Sequence, residues 1–333
     1  MPENSPDIPV RSVTSEITWA NRWDHFLARC GVKRSRHRVE PGLYALGHPT
    51  PDSPVFVTAN YTLSFDALRS ALAGTDGYIL VLDTEGINVW CAAGKGTFGT
   101  DELVRRIEAV RLSGVVKHRI LILPQLGAAG VSAHGVRRRS GFRVEYGPVR
   151  AADLPQYLKD HQATEEMRRV RFTLVDRLVL IPVEVVHLFV PTLIVVAVLY
   201  GLSGWLAAAS AVAAVLAGVV LFPILLPWLP TSDFSSKGFI LGGIMALPFA
   251  LAVFHGHTAT SPWLRLSAAL AYLLALPPVT AFLALNFTGS TPITSRSGVR
   301  REIFTYIPFM AWMFGMGIAL SLGVKLFQVL GGA

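Results

Sequence analysis

Five apolar stretches of bilayer-spanning length fill the second half of this chain and limit its fold more than any other feature. They run from Leu178 to Tyr200, Gly204 to Leu229, Gly238 to Phe254, Leu266 to Leu285 and Ile303 to Gly323, each near the ~20 residues an α-helix needs to cross a hydrocarbon core. With 52% hydrophobic and only 16% charged residues among 333, the chain is too apolar for an ordinary soluble enzyme. The pattern predicts an all-α domain of five transmembrane helices over residues 178–333.

Charge predicts the orientation of that domain. The first forty residues hold no apolar run able to act as a signal peptide, so the soluble half is expected to stay cytoplasmic. Arg168, Arg169, Arg171 and Arg177 precede the first stretch, and Arg296, Arg300 and Arg301 precede the fifth. Five spans that start inside place both clusters on the cytoplasmic side of the inner membrane, as the positive-inside rule asks. The net charge of +8 is then explained at the lipid surface and calls for no nucleic-acid partner. Arg137, Arg138 and Arg139 form a further basic cluster, read as a solvated loop or a docking patch for an acidic partner.

Before the membrane domain, residues 1–40 are rich in Pro, Ser and Arg and read as a poorly packed N-terminal leader, apart from an amphipathic piece around Trp19, Trp23 and Phe26. Residues 41–165 show an α/β rhythm, and residues 166–177 form a basic linker. Val55–Thr58, Tyr78–Leu82 and Arg119–Leu123 read as buried strands. Between them, Ser64 is placed to cap a helix with Leu68, Ala71 and Leu72 on one face, and Thr100 to cap another with Leu103, Val104, Ile107 and Val110 facing inward. Asp101 and Glu102 suit the first turn of that second helix. Strands alternating with helices predict a parallel, Rossmann-like sheet, whose ligands bind beyond the strands' carboxyl ends. Three loops occupy that edge: Ala59–Thr62, Asp83–Thr100 and Pro124–Ser132.

Those loops combine short polar groups (Thr58, Asn60, Thr62, Asn88) with residues that have almost no side chain (Ala92, Ala93 and Gly94; Gly127, Ala128, Ala129 and Gly130, followed by Val131). Small residues let backbone approach either a large flat ligand or a packed neighbour closely. Cys91 lies among them and is one of only two cysteines, with Cys30. Two cysteines cannot supply the four thiolates an iron–sulfur cluster usually needs. No His or Cys stands at zinc-ligand spacing from Cys91. A Cys–His nucleophilic pair remains an alternative, with His25, His37, His48, His118 or His134 as partner in space.

The string Gly94-Lys95-Gly96-Thr97-Phe98-Gly99 fits the GxGxxG pattern of dinucleotide sites but not its context. It begins about ten residues after its strand, and no acidic residue ends the next one. A kinase loop would want valine where Asp101 stands, and Gly96 replaces the Ser or Thr of a Walker A loop.

The run Asn88-Val89-Trp90-Cys91-Ala92-Ala93-Gly94-Lys95, extended through Gly96-Thr97-Phe98-Gly99-Thr100, resembles the cap-helix motif of the membrane-bound corrinoid protein of the mercury-methylation pair, the HgcA family. The resemblance continues along the chain, with a corrinoid-binding α/β domain similar to that of the corrinoid iron–sulfur protein followed by five spans. It implies a cobalamin-type corrinoid cofactor with the Cys91 thiolate as the lower axial ligand of cobalt. A short helix from Asn88 to Lys95 would cap the macrocycle, with Ala92 and Ala93 lying close over it, Val89 and Trp90 packing the helix on the domain, and Lys95 meeting a corrin side chain. Thr58, Asn60 and Thr62, and Gly127 to Val131, would surround the ring and its nucleotide tail.

The implied activity is a corrinoid-dependent methyltransferase that passes a methyl group from methylcob(III)alamin to mercury(II). Its partners would be a methyltransferase supplying the methyl group from a folate and a ferredoxin-like [4Fe-4S] protein supplying electrons. A corrinoid methyl carrier for a different acceptor, and a membrane transporter or sensor with a nucleotide-binding domain, fit the same architecture. Within the spans, Glu184 and His187 share a helix face and His255 with His257 forms a weak metal pair. The hydroxyl-rich stretch Asn286–Ser295 reads as a polar connector or a contact for the soluble domain or its partner.

Overall fold

The computed structural model describes residues 10–256, 261–292 and 294–331. The chain divides into two compact units, Met1–Ala28 with Val32–Val170, and Arg29–Gly31 with Arg171–Ala333. The first is built on a six-stranded sheet. Its strands are β1 (Val10–Val13), β2 (Gly42–Leu46), β3 (Val55–Ala59), β4 (Gly77–Leu82), β5 (Ile120–Leu123) and β6 (Arg143–Tyr146), in the order β1-β2-β4-β3-β5-β6. The strands β4, β3, β5 and β6 are parallel. Every residue of β3 and β4 is buried, which is why both read as unbroken apolar runs rather than alternating ones.

The sheet is mixed rather than wholly parallel, because β2 runs antiparallel to β4 and β1 follows β2. Residues 47–54 join β2 to β3 without a helix, and so short a connection cannot make the crossover that a parallel neighbour needs.

Helices cover both faces: α1 (Trp19–Arg29), α2 (Thr62–Ala71), α3 (Val89–Lys95), α4 (Thr100–Ala109), α5 (Leu112–Val115), α6 (Ala133–Ser140) and α7 (Leu154–Asp160). Alternate strand residues separate two cores. Val57, Leu80, Leu82, Leu121 and Leu123 pack with Val89, Leu103, Val104, Ile107 and Val136 on the α3–α4–α6 side. Phe56, Ile79, Val81 and Ile122 pack with Phe65, Leu68, Leu72, Leu154 and Tyr157 on the α2–α7 side. The winding reverses between β3 and β5, since the chain leaves β3 toward β4 and returns across it to β5. Ligand crevices of doubly wound sheets open at such a reversal.

Residues 10–40 are not a poorly packed leader. Strand β1 pairs with β2 over Val10–Val13, and buried Arg69 donates to Thr14 O at 2.7 Å and Glu16 O at 2.5 Å while its Nε meets Asp66 Oδ1 at 2.6 Å. Side chains distant in sequence hold this segment down, so its Pro- and Ser-rich composition misled. Two caps also differ from expectation. The helix α2 begins at Thr62 after Tyr61, with Ser64 inside its first turn, and α4 begins after Gly99 with no side-chain cap. Arg137, Arg138 and Arg139 form the last turn of α6 rather than a loop, where cations complement the helix dipole.

The second unit contains, among the described residues, five helices long and apolar enough to cross a membrane: Leu174–Ser203, Trp205–Leu225, Phe234–His255, Pro262–Ser290 and Ser297–Leu330. Small residues bring the third and fourth together: a Cβ on Gly238 would lie 2.5 Å from Ala281 Cα, and one on Gly242 2.7 Å from Pro277 Cα. Backbones approach this closely in membranes because dispersion and hydrogen bonding, not burial from water, drive association there. Buried Glu302 caps the third helix, accepting from Phe234 N, Ser235 N and Ser235 Oγ at 3.0–3.2 Å.

Replacing Arg69 with leucine is expected to leave the Asp66 carboxylate with His25 alone and to free residues 10–18. Breaking a buried ion pair costs about 3 kcal/mol or more. Hydrogen exchange should therefore quicken across β1 and α1 while β3 and β4 stay protected; unchanged protection at Val10–Val13 would count against this anchoring.

Candidate functional site

Beyond the carboxyl ends of β3 and β5 the structure opens a cleft of about 320 Å³, lined by both strand ends, the start of α3, the face of α2 and the segment after β6. Its walls are mostly apolar, with Phe56, Leu68, Leu123, Leu126, Leu154 and Trp90 prominent and Thr58, Ser64 and Asn88 the polar exceptions. It sits where the sheet winding reverses, as expected for a ligand site.

The helix α3 overhangs this cleft. Asn88 is its N-cap, accepting from Cys91 N at 2.9 Å, and Gly96 ends it at φ 91°, a left-handed position that suits glycine. Cys91 lies in the first turn and is half-buried. Among the described residues, no hydrogen bond joins its thiol to His25, His37, His48, His118 or His134. His25 instead pairs with Asp66 at 2.7 Å, His37 with Asp24 at 2.8 Å and with Val32 O, and His118 with Ser53 O. No group of three or more metal-ligating side chains occurs among the described residues.

What holds α3 in place is Asn60, 1% exposed at the end of β3. Its Oδ1 accepts from Thr84 N (3.1 Å), Thr84 Oγ1 (2.9 Å) and Gly86 N (3.0 Å), and its Nδ2 donates to Asp83 Oδ1 at 3.2 Å. The Thr84 hydroxyl also lies 2.7 Å from Ile87 O, Glu85 N donates to Asp83 Oδ1, and Asp83 N donates to Glu102 Oε1 on α4. The loop from Asp83 to Asn88 is thus tied at almost every residue, which sustains left-handed backbone at Glu85 (φ 60°) and Gly86 (φ 73°).

Glycines complete the fit from the other side. A Cβ on Gly130 would collide with Phe98 O and lie 3.0 Å from Ala93 Cα, and one on Gly127 would lie 2.7 Å from the Phe98 ring. Phe98 is wholly buried, and its N–H donates to Ala92 O at 3.1 Å. The close approach offered by Gly127 and Gly130 is used by protein, not left for a ligand, and the GxGxxG string serves the same packing. Thr100 Oγ1 accepts from Ser132 N at 2.8 Å, and Tyr146 OH donates to Val131 O at 2.5 Å. Burial pushes the Tyr146 pKa above the ordinary tyrosine range, partly opposed by a backbone hydrogen bond from Ala133.

The sequence-predicted site residues therefore separate into groups. Thr58, Asn88, Val89 and Trp90 line the cleft, and Gly94, Lys95, Ala128 and Ala129 are exposed. Thr62 is half-buried as the first residue of α2. Asn60, Ala92, Ala93, Gly127 and Val131 are buried in the scaffold, and Gly130 is wedged against it. Ala92 and Ala93 face the core and seat α3 on the domain, while Trp90 turns to the cleft, the reverse of their expected roles. The helical period explains this: Val89, Ala92 and Ala93 share the i, i+3, i+4 face. Sequence reasoning missed Ser64 and Leu126 on the cleft wall and the clamping role of Asn60.

Elsewhere, Glu184 is half-exposed and His187 exposed on the first span, with no ion pair joining them among the described residues, and His255 is exposed. His257 lies outside the described residues. Near the end of the fourth span, Thr288 and Thr294 bond within their own turn, to Leu285 O and Thr288 O, as a polar connector does.

Residues 33–157 match a family model described as the CO dehydrogenase/acetyl-CoA synthase delta subunit. The chain is 33% identical over 135 residues to the acetyl-CoA decarbonylase/synthase complex subunit gamma of Archaeoglobus fulgidus, a segment covering 40% of this chain and 28% of that protein. It is 34% identical over 128 residues to the subunit of the same name from Methanopyrus kandleri, covering 38% and 27%. It is 29% identical over 129 residues to the corrinoid/iron-sulfur protein large subunit of Moorella thermoacetica, covering 38% and 28%. The chain spans less than a third of the length of these relatives.

Truncating Asn60 to alanine leaves the Thr84 and Gly86 amides without their acceptor, while the Thr84 hydroxyl keeps Ile87 O; each unpaired buried donor costs about 1–3 kcal/mol. Exchange of the Thr84 and Gly86 amides should accelerate strongly and the melting temperature fall, with β3 still paired. Retained slow exchange at both amides would show that α3 is held by something else.

Proposed function

We propose that the first unit binds a corrinoid and carries a methyl group, with the Cys91 thiolate as the lower axial ligand of cobalt, and that the methyl acceptor is mercury(II). One observation carries the reading: a half-buried thiol sits in the first turn of a clamped helix, directly after Asn88, Val89 and Trp90, which line an apolar crevice at the switch point of the sheet. The relative from Moorella thermoacetica, a corrinoid/iron-sulfur protein by name, supports the class of cofactor. The motif from Asn88 to Lys95 supports the acceptor.

The residues present fit such a group. Cys91 offers a soft, strongly donating sulfur, and axial-ligand identity is a protein's main means of tuning a bound macrocycle. Trp90, Leu126 and Thr58 supply a mostly apolar wall with one hydroxyl, suited to a large ring or its tail. The corrinoid supplies a cobalt centre from which a methyl group leaves as a carbanion equivalent, the form that mercury(II) accepts. The chain's own contribution is positional: Asn88 orients the turn that bears the thiol, Asn60 fixes the loop before it, and Gly127 and Gly130 let the helix seat deeply.

Asn60 thereby becomes a positioning residue rather than a contact, and Ala92, Ala93 and Val131 support the helix from beneath. Exposed Ala128, Ala129, Gly94 and Lys95, with half-buried Thr62, remain available to the periphery of the cofactor. The domain limits at residues 41–165, 166–177 and 178–333 belong to the same proposal, with the first unit on the cytoplasmic side of the inner membrane.

Two cysteines cannot hold a [4Fe-4S] cluster, so electrons would come from a ferredoxin-like [4Fe-4S] partner. The methyl group would come from a folate through another methyltransferase. That curated relatives are named as subunits of a complex is in keeping with such partners.

The full chain, purified in detergent and loaded with cobalamin, tests the reading by its visible spectrum, cobalt content and methylmercury yield. Cys91→Ala should lose the thiolate-shifted spectrum and abolish mercury methylation, whereas Cys30→Ala should keep both. Cys91→His should weaken methyl transfer more than cofactor retention, since imidazole ligates cobalt but donates less. Equal methylation by wild type and Cys91→Ala would defeat the assignment, and cobalt retained in wild type with a different preferred acceptor would defeat only the mercury half.

A further inference from the structure

Helix α1 is amphipathic in the reverse sense. Its inner face is polar and ion-paired to the domain, through His25 with Asp66 at 2.7 Å and Asp24 with His37 at 2.8 Å. Its outer face carries Trp19, Trp23 and Phe26, which are 79%, 54% and 54% exposed. At i, i+4 and i+7 these lie on one stripe, and Trp23 stacks on Phe26 with ring centroids 5.4 Å apart. Nothing in the described chain covers the stripe. Single exposed apolar residues are ordinary, but three contiguous aromatics on one helix face mark a surface that something covers.

We propose that this face docks into the headgroup region of the lipid bilayer, making α1 an interfacial helix that holds the sheet domain on the membrane surface. Three observations select lipid. First, exposed Arg22 and Arg29, seven residues apart, line one edge of the aromatic stripe, the pairing of cations and aromatics found in helices lying on anionic membranes. Second, tryptophan is the side chain most at home where hydrocarbon meets water. Third, reading the five long helices as membrane spans, fewer than fifteen residues separate the end of α7 at Asp160 from the start of the first span at Leu174. Fully extended, that segment reaches at most roughly 50 Å, so the end of α7 stays within that distance of the first span, and such tethering makes even a weak surface affinity effective. Thr18 and Asn21 cap the helix reciprocally, so the face is presented on a formed helix. This inference does not depend on the corrinoid reading.

Spin labels test it on the full chain reconstituted in vesicles of phosphatidylcholine with phosphatidylglycerol. Phe26→Cys and Trp23→Cys are labelled in a Cys30→Ser, Cys91→Ser background, with Arg138→Cys on exposed α6 as the aqueous reference. We expect the ratio of oxygen to nickel-chelate accessibility to be several-fold higher at 23 and 26 than at 138. It should fall when Arg22→Glu and Arg29→Glu are added and rise with phosphatidylglycerol content. Labels at 23 and 26 as open to the nickel chelate as the label at 138 would overturn the proposal. So would protection that arises only on adding a ferredoxin-like protein, since that would put protein on this face instead of lipid.

Discussion

One buried side-chain amide governs the geometry of the candidate site. Asn60 directly follows the central strand β3, and its Oδ1 accepts from the Thr84 and Gly86 amides of the loop that follows β4, with the Thr84 hydroxyl also in reach, so the ends of two neighbouring parallel strands are tied before α3 begins. A buried acceptor so fully used is worth far more than one facing water, because leaving its donors unpaired would incur their whole desolvation cost. The left-handed backbone at Glu85 and Gly86 is strain that this network offsets. Remove the amide and α3 has no defined entry; keep it, and Asn88 and Cys91 are aimed from a rigid base.

The opposite boundary of the site is set by absence of side chains. Gly127 and Gly130 leave no Cβ between the β5 loop and the Phe98–Ala93 surface, and Phe98, wholly buried, fills the space between α3 and the domain. A helix of seven residues has too few internal hydrogen bonds to persist alone, so α3 exists because loops on both sides hold it. A thiol mounted this way can be positioned to within a fraction of an ångström, as a metal-ligating group on rigid support must be, whereas the same cysteine on a free loop could not.

Much of this was legible in the sequence where the signal is periodic or compositional. The five spans, the buried strands β3, β4 and β5, and a short helix around Cys91 all follow from apolar runs or motif. What was hidden rests on contacts between distant residues. Strand β1 is held by Arg69, some 55 positions along, and no local pattern announces that pairing. The antiparallel β2 follows from a short connection whose partner strand is unknowable from spacing alone. Asn60 and the glycines read as ligand contacts because small polar and small apolar residues suit a cofactor and a tight protein joint equally. The exchanged roles of Trp90 with Ala92 and Ala93 were, by contrast, available from helical periodicity.

The two units solve opposite solvation problems with related devices. In the sheet domain, backbone and side-chain donors converge on buried acceptors such as Asn60 to hold a loop; in the membrane unit, Glu302 gathers Phe234 N, Ser235 N and Ser235 Oγ to start a helix. In both, a polar residue near an element's end is spent on architecture, leaving Cys91 as a chemically distinctive group on α3 whose side chain makes no hydrogen bond among the described residues. On the proposed corrinoid reading that half-buried thiol is the ligand, and the seating of the helix is left to Val89, Ala92 and Ala93 on its buried face.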